Sequence, residues 1–414
     1  MLKQQIFVKD KAIFACILMA FSSSLLMASY ELIRNPITVL FKQSYGMDYF
    51  PIALALVPLL LVLCLSGYNL LLTHKGPRKT YHLTFLFSFM VLFIGSLFIR
   101  TGFKKAVFFI FLFRECYVVL LIEQSWSFVS SLVSEKRAKK LYSFILAIST
   151  VGASLGGLFV YKFAKTFGSI NILGLGTILM VPSQVIAYFA YKKAPKSLLQ
   201  TKPSRGQDKK SFLLGMSFFK TYPVLTGILF LILTSQIYST ACEIIFQSML
   251  HEYIPETDKQ VSFSGLIFSF LGAFALFNQL ILSPILFSRL SLFFIHAMIP
   301  ALHLLALFFL LWERTIFSAA VAFIIFKSFD YSVFRVAKEL LYLPLPFDAR
   351  FRTKEFIDVF AYRIGKGGTS VAITMMQKTA GSSLLGLSSL AFLAIIAWLT
   401  SVVFTFKHDV RQSV

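Results

Sequence analysis

The chain has 414 residues, 57% of them hydrophobic, only 14% charged and 48 of them phenylalanine, with a mean hydropathy of +0.78. An ordinary soluble domain carries about 25% charged residues, so this composition excludes the two or three soluble domains that the length alone would allow and makes lipid the main solvent. The 40 Lys+Arg against 18 Asp+Glu give a net charge of +22. They lie between apolar runs and not along one basic face, which argues against a nucleic-acid binder and for loop topology, anionic lipid and anionic ligands.

A bilayer core about 30 Å thick needs about 20 apolar helical residues. Twelve runs qualify: 12–33, 48–73, 81–99, 105–133, 139–161, 170–191, 218–243, 262–287, 290–312, 315–340, 355–377 and 383–406. The first is too long for the apolar region of a signal peptide and no clean A-x-A site follows it. Cys16, Cys64, Cys116 and Cys242 all fall inside apolar runs with no metal spacing, and read as small buried hydrophobes. The loop after the second run contains Gly76-Pro77-Arg78-Lys79. It partly matches the loop signature of major facilitator carriers, with Thr73 where an acidic residue is usual.

The Lys/Arg excess falls on the loops that share a side with both termini, including Glu135–Lys140 and Lys192–Lys210, which predicts cytoplasmic N- and C-termini. The longest polar segment, 193–217, contains Pro195, Pro203 and Gly206 and reads as a cytoplasmic linker. The expected fold is therefore an all-α integral membrane protein of the major facilitator type. It has twelve transmembrane helices in two six-helix halves, 1–192 and 218–414, joined by the basic linker 193–217. A shift of 215 residues places Arg137, Lys139 and Gly152 on Arg352, Lys354 and Gly367, and Glu115 on Asp330. The repeat is carried by the layout of each half more than by identities.

A charge at bilayer depth costs about 2.5–3.5 kcal/mol even on insertion scales, so such residues face a partner or a cavity. The first span ends with Glu31 and Arg34, and the fourth carries Arg114, Glu115 and Glu123. The seventh ends at Glu243. The tenth holds Lys327, Asp330, Arg335, Lys338 and Glu339, and the eleventh holds Asp358, Arg363 and Lys366. Arg335 and Glu339 are spaced to pair with each other, and Lys338 is placed to snorkel. Arg114 and Glu115, being adjacent, are expected to point to different partners. Glu123, followed by Gln124, Ser125 and Trp126, marks a polar face suited to a translocation path. Asp358, Tyr362 and Lys366 follow i, i+4, i+8 beside Arg363, and Gly365, Gly367 and Gly368 are expected to weaken the helix there. Two bases at a glycine-rich interruption suit an anion; a glycine-mediated helix contact is the alternative. No G-x-S-x-G, Walker A, H-E-x-x-H or dinucleotide fingerprint occurs and the histidines lack ligand spacing, so neither an enzyme nor a cofactor is expected.

The stretch Asp330–Ser370 resembles the most distinctive segment of the ATP/ADP translocase family, the nucleotide transport proteins of plastids and intracellular bacteria. The matching residues are Lys338-Glu339, Tyr342, Pro344-Leu345, Arg352, Lys354, Ile357-Asp358 and Gly365-Lys366-Gly367-Gly368. Glu123 with Trp126, the run from Lys139 to Gly156, and Tyr30-Glu31-Leu32-Ile33-Arg34-Asn35 are similar to further family segments. The Lys-Asp pair that follows in the family is replaced by Ile37 and Thr38. The resemblance implies twelve helices and nucleotide exchange, with Lys366, Glu123 and Glu243 as intramembrane site residues.

Two functional classes follow. One is an alternating-access carrier for an anionic metabolite, a nucleotide first, with Lys366, Arg363, Glu123, Glu243 and Arg34 binding substrate. The other is a proton-coupled symporter for a different small solute, driven from Glu115, Glu123, Glu243 or Asp358. Glu115, Asp330 and Asp358 are the expected coupling or gating groups. The expected setting is the inner (cytoplasmic) membrane. The expected partners are the small anion and the bilayer, with no nucleic acid, and the carrier is expected to be a monomer.

Overall fold

Hydrocarbon offers no partner for a peptide N–H or C=O, so a spanning segment must satisfy its own backbone, and the helix does this. The computed structural model describes residues 2–132, 135–195, 218–346, 353, 357, 361–380 and 383–408, with side chains left aside for 2–10, 135–144 and 380. Among the described residues every regular element is helical. In chain order these are α1 (Leu2–Tyr45), α2 (Tyr49–Arg100), α3 (Lys104–Leu132), α4 (Glu135–Phe167), α5 (Ser169–Lys193), α6 (Pro223–Tyr253), α7 (Thr257–Arg289), α8 (Leu292–Glu313), α9 (Ile316–Tyr342), α10 (Tyr362–Ala380) and α11 (Leu384–Lys407). Nine of them are long and apolar enough to cross a bilayer. The helices α3 and α10 fall outside the nine; both carry several of the charges described above.

The expected second and third spans form one 52-residue element, α2, broken at Gly76 with φ 73° and ψ 167°. Pro77 follows at once, so the chain has a residue that accepts positive φ and then one that cannot donate to the preceding turn. Short π-helical turns interrupt α7 at Asn278–Leu282 and α9 at Asp330–Phe334. The expectation that Gly365, Gly367 and Gly368 weaken the eleventh span is corrected: α10 runs unbroken from Tyr362 to Ala380. Glycine costs a helix only about 1 kcal/mol per residue, and packing offsets that here, because a Cβ on Gly365 would lie 2.9 Å from Cβ of Gln236 on α6. The glycine-mediated helix contact is thus present at Gly365, whereas Gly368 faces open space. The linker residues 196–217 and the candidate Asp358 lie outside the described residues. Cys16, Cys116 and Cys242 are buried as expected; Cys64 is only half-buried.

The chain forms two compact units. One comprises Met1–Gly46, Leu59–Pro203 and Ile254–Ala273; the other comprises Met47–Pro58, Ser204–Tyr253 and Phe274–Val414. In the first unit α1 is the hub, packed along α3, α4 and α5. Helices in lipid gain nothing from burying apolar surface that lipid already covers, so small residues and hydroxyl bonds hold them. Ser22 and Ser183 donate to each other's carbonyls at 2.8 Å, and Ser29 donates to the Gly176 carbonyl at 2.7 Å. A Cβ on Gly156 would lie 2.7 Å from the Ala28 backbone, and one on Gly157 would lie 2.8 Å from the Gly265 carbonyl. Asp258 on α7 accepts from the backbone N–H of Ser169 at 2.8 Å and from its hydroxyl at 2.5 Å, capping α5 from a distant helix. Gly156→Ala is expected to force α1 and α4 apart and cost about 1–3 kcal/mol. Thermal unfolding of the purified variant checks this, and a wild-type midpoint would show that the two backbones separate freely.

In the second unit α6 is the hub, packed against α9, α10 and α11. Tyr238 on α6 stacks on His303 at 5.1 Å between ring centroids, and Phe326 and Trp398 close on the same imidazole at 5.2 and 5.6 Å. Large apolar side chains such as Leu63, Trp312, Phe317 and Leu393 remain exposed on the outer surfaces, as a lipid-solvated protein requires.

Candidate substrate site

Among the described residues, a cluster of charge forms in each unit. In the first, Glu31 is buried on α1 and receives Arg34 one turn later. A single guanidinium nitrogen, Nη2, donates to both carboxylate oxygens at 2.7 and 2.6 Å. Asn35 Nδ2 adds a bond to the same carboxylate at 3.1 Å, and Ser264 donates to Asn35 Oδ1 at 2.6 Å. The Arg34 guanidinium also lies 3.5 Å over the ring of Phe268, close enough for a cation–π contact.

Arg114 on α3 is buried. It donates to the Arg34 carbonyl at 2.8 Å and to the Thr38 hydroxyl. Its Nε lies 3.4 Å from Glu115 Oε1, which also accepts from the Tyr30 hydroxyl at 2.9 Å. The expectation that Arg114 and Glu115 diverge is therefore corrected. The long guanidinium stem folds back far enough to meet the adjacent carboxylate while still bridging to α1. Arg34 and Glu115, expected apart as binding and coupling residues, belong to one network. Glu123 does not join it: eight residues along α3 from Glu115, it is exposed.

In the second unit three helices converge on one carboxylate. Glu243 on α6 presents Oε2 to Lys366 of α10 at 3.3 Å and to Lys327 of α9 at 3.7 Å. Lys327 also donates to the Ser239 hydroxyl, one turn before Glu243, at 3.1 Å, and sits 5.6 Å from the ring centroid of Phe326. The side-chain exposures are 27% for Lys366, 16% for Glu243 and 11% for Lys327, so Lys366 is the most open of the three. Asp330, buried in the π-turn of α9, accepts from the Tyr362 hydroxyl of α10 at 2.9 Å. Arg363 lies three residues before Lys366 on α10, half-buried.

Lys366 and Glu243, expected separately as site residues, are thus brought together. Lys327 was visible in the sequence as a charge inside the run Phe323–Phe329 but had no motif to give it a role; Ser239 gave no signal at all. The ammonium pair around one carboxylate leaves the three groups with one net positive charge. In a low-dielectric setting that charge favours an anion carrying several acceptor oxygens.

The helical fold is one shared with several solved membrane transporters. The chain is similar to a POT family transporter solved with 5-aminolevulinic acid (TM-score 0.68, 13% identity, 95% of this chain and 96% of that one). It is likewise similar to the nucleoside transporter NupG (0.65, 12%, 95% and 99%) and to the xylose transporter XylE from E. coli (0.63, 15%, 95% and 97%). Residues 89–408 match the model of the TLC ATP/ADP transporter family, and the chain belongs to that family. It is 21% identical over 319 residues to the chloroplast ADP,ATP carrier protein 1 of Arabidopsis thaliana, a match covering 67% of this chain and 50% of that carrier. The chain spans about half the length of that relative.

Proposed function

We propose that this membrane transporter exchanges nucleotides of the ATP/ADP type by alternating access. The observation that carries the reading is the convergence of Lys366 and Lys327 on Glu243. Two cations from separate helices, retained at bilayer depth against a cost of several kcal/mol, form a receptor for phosphate oxygens. Lys366 supplies the more accessible charge, and Arg363 on the same helix adds a planar fork. Counterflow in proteoliposomes tests the proposal. Labelled ADP is expected to enter only when unlabelled nucleotide is inside, with no dependence on an imposed pH gradient. Phosphate and other nucleotides run alongside define the range.

One feature favours the second reading, proton-coupled symport of another solute. Asp330 is buried in a π-turn and hydrogen-bonded by Tyr362, and π-turns gather at functional sites. Uptake driven by a pH gradient into vesicles without internal nucleotide would support it against exchange.

The transporter is proposed to cross the membrane twelve times. In this reading α2 makes two crossings on either side of Gly76, and α3 and α10 each make one despite their charges. The halves 1–192 and 218–414 are proposed to be joined by a cytoplasmic linker at 193–217, with both termini cytoplasmic in an inner membrane and the carrier a monomer. The support is the Lys/Arg asymmetry of the loops. A cysteine placed at Ser204 is expected to resist impermeant reagents added outside intact cells; strong labelling would invert the topology.

A further inference from the structure

We infer that Glu243 is a resident anion that competes with the substrate's phosphate for Lys366 and Lys327, and that Lys327 is the second cation of the site. The inference rests on the anion-exchange reading above but assigns a different job to the carboxylate: it opposes binding instead of supporting it.

The geometry carries this. Both lysines reach the same oxygen, Oε2, at 3.3 and 3.7 Å. A well-formed ammonium–carboxylate hydrogen bond is about 2.7–2.9 Å, so both lysines stand further than that from Glu243. Lys327 has a second tether in the Ser239 hydroxyl at 3.1 Å, which fixes its position while leaving donors to spare. Lys366 is the most exposed of the three and is the first to meet an incoming ion. A phosphate brings more negative charge and more acceptor oxygens than one carboxylate, so it displaces Glu243 from both ammonium groups. When the phosphate departs, Glu243 closes on the lysines again and no bare cations are left at bilayer depth. Its differential attraction for the empty state lowers affinity and speeds release.

The test uses the full-length protein in detergent, with inorganic triphosphate and ATP as probes. Glu243→Gln is expected to bind triphosphate about 10-fold or more tightly than wild type, the scale of one charge-assisted hydrogen bond. The same variant is expected to exchange more slowly in proteoliposomes. Lys327→Gln is expected to bind about 10-fold or more weakly. The double variant, which leaves one lysine and no competing carboxylate, is expected to return towards wild-type affinity. Unchanged or weaker triphosphate binding by Glu243→Gln overturns the resident-anion role, and unchanged binding by Lys327→Gln overturns the second cation. If Glu243→Gln does not fold, the same comparison is made between Lys327→Gln and the double variant, which leaves of the cluster only Lys366, its most exposed charge; no tightening there overturns the role equally. The nucleotide reading fails separately. If triphosphate follows the expected pattern while ATP does not bind, the substrate class is wrong and the resident anion stands. If ATP binds with an affinity indifferent to Glu243, the resident anion falls and nucleotide transport stands.

Discussion

Lys366→Gln is expected to weaken nucleotide binding roughly 10- to 150-fold, the affinity equivalent of losing one charge-assisted hydrogen bond worth about 1.5–3 kcal/mol. Lys366 is the most exposed member of the α6–α9–α10 cluster and stands one turn from Arg363. Lys366→Arg should restore part of the affinity, because the charge returns on a broader, planar head that fits the space beside Glu243 less well. The structure also separates this effect from simple destabilisation. Truncating one partner of a buried pair is severe when it leaves the other charge alone. Here Glu243 keeps Lys327, so the thermal stability of Lys366→Gln is expected to stay close to wild type. Affinity and unfolding temperature measured on the same purified variant decide the matter. A large fall in stability with unchanged affinity would make Lys366 a helix tether and remove it from the binding site.

The opposite pattern is expected at Arg34. Arg34→Gln should destabilise the first unit by about 3–5 kcal/mol, the usual cost of leaving a buried charge without its partner. Glu31 is buried, and both of its oxygens accept from the Arg34 guanidinium, with a further bond from Asn35. The double variant Glu31→Gln with Arg34→Gln removes the stranded charge and is expected to recover most of the loss. Thermal unfolding of the two single variants and the double one measures the coupling. Ligand affinity of the folded double variant then tests the second role proposed for Arg34. Wild-type affinity would confine Arg34 to holding α1, whereas a loss comparable to that of Lys366→Gln would bring it to the substrate.

The contrast between these two sites shows what the sequence could and could not disclose. Apolar run length made the helices legible, because lipid imposes one rule on every spanning segment. Charge inside those runs made Glu31, Arg34, Glu243, Lys327 and Lys366 stand out one by one. The i,i+3 spacing of Glu31 and Arg34 already placed them on one face, so their pairing was within reach of the sequence. The Lys327–Glu243–Lys366 cluster was not, because it joins three helices across more than 120 residues and only packing around α6 brings them together. The glycines of α10 misled for the same reason. Intrinsic propensity marks Gly365 as a weak point, yet its missing side chain lets Gln236 approach and the helix continues. Glu123 shows the converse, a charge conspicuous in sequence that the fold leaves exposed and outside both clusters.

The break at Gly76 bears on how the polypeptide is made. As α2 emerges during synthesis, the one residue of its 52 with non-helical backbone angles is Gly76, followed at once by Pro77. Arg78 and Lys79 follow immediately and supply the charge that resists translocation. On the proposed twelve-crossing topology these four consecutive residues specify a hairpin, from which every later segment would take its sidedness. A side chain at position 76 would be strained at φ 73°, favouring a straighter nascent helix and an inverted remainder. Glycosylation-site mapping of the loop at Lys192–Lys193 in Gly76→Val is expected to report a fraction of inverted chains. Uniform wild-type sidedness would show that downstream positive charges correct the error after it is made.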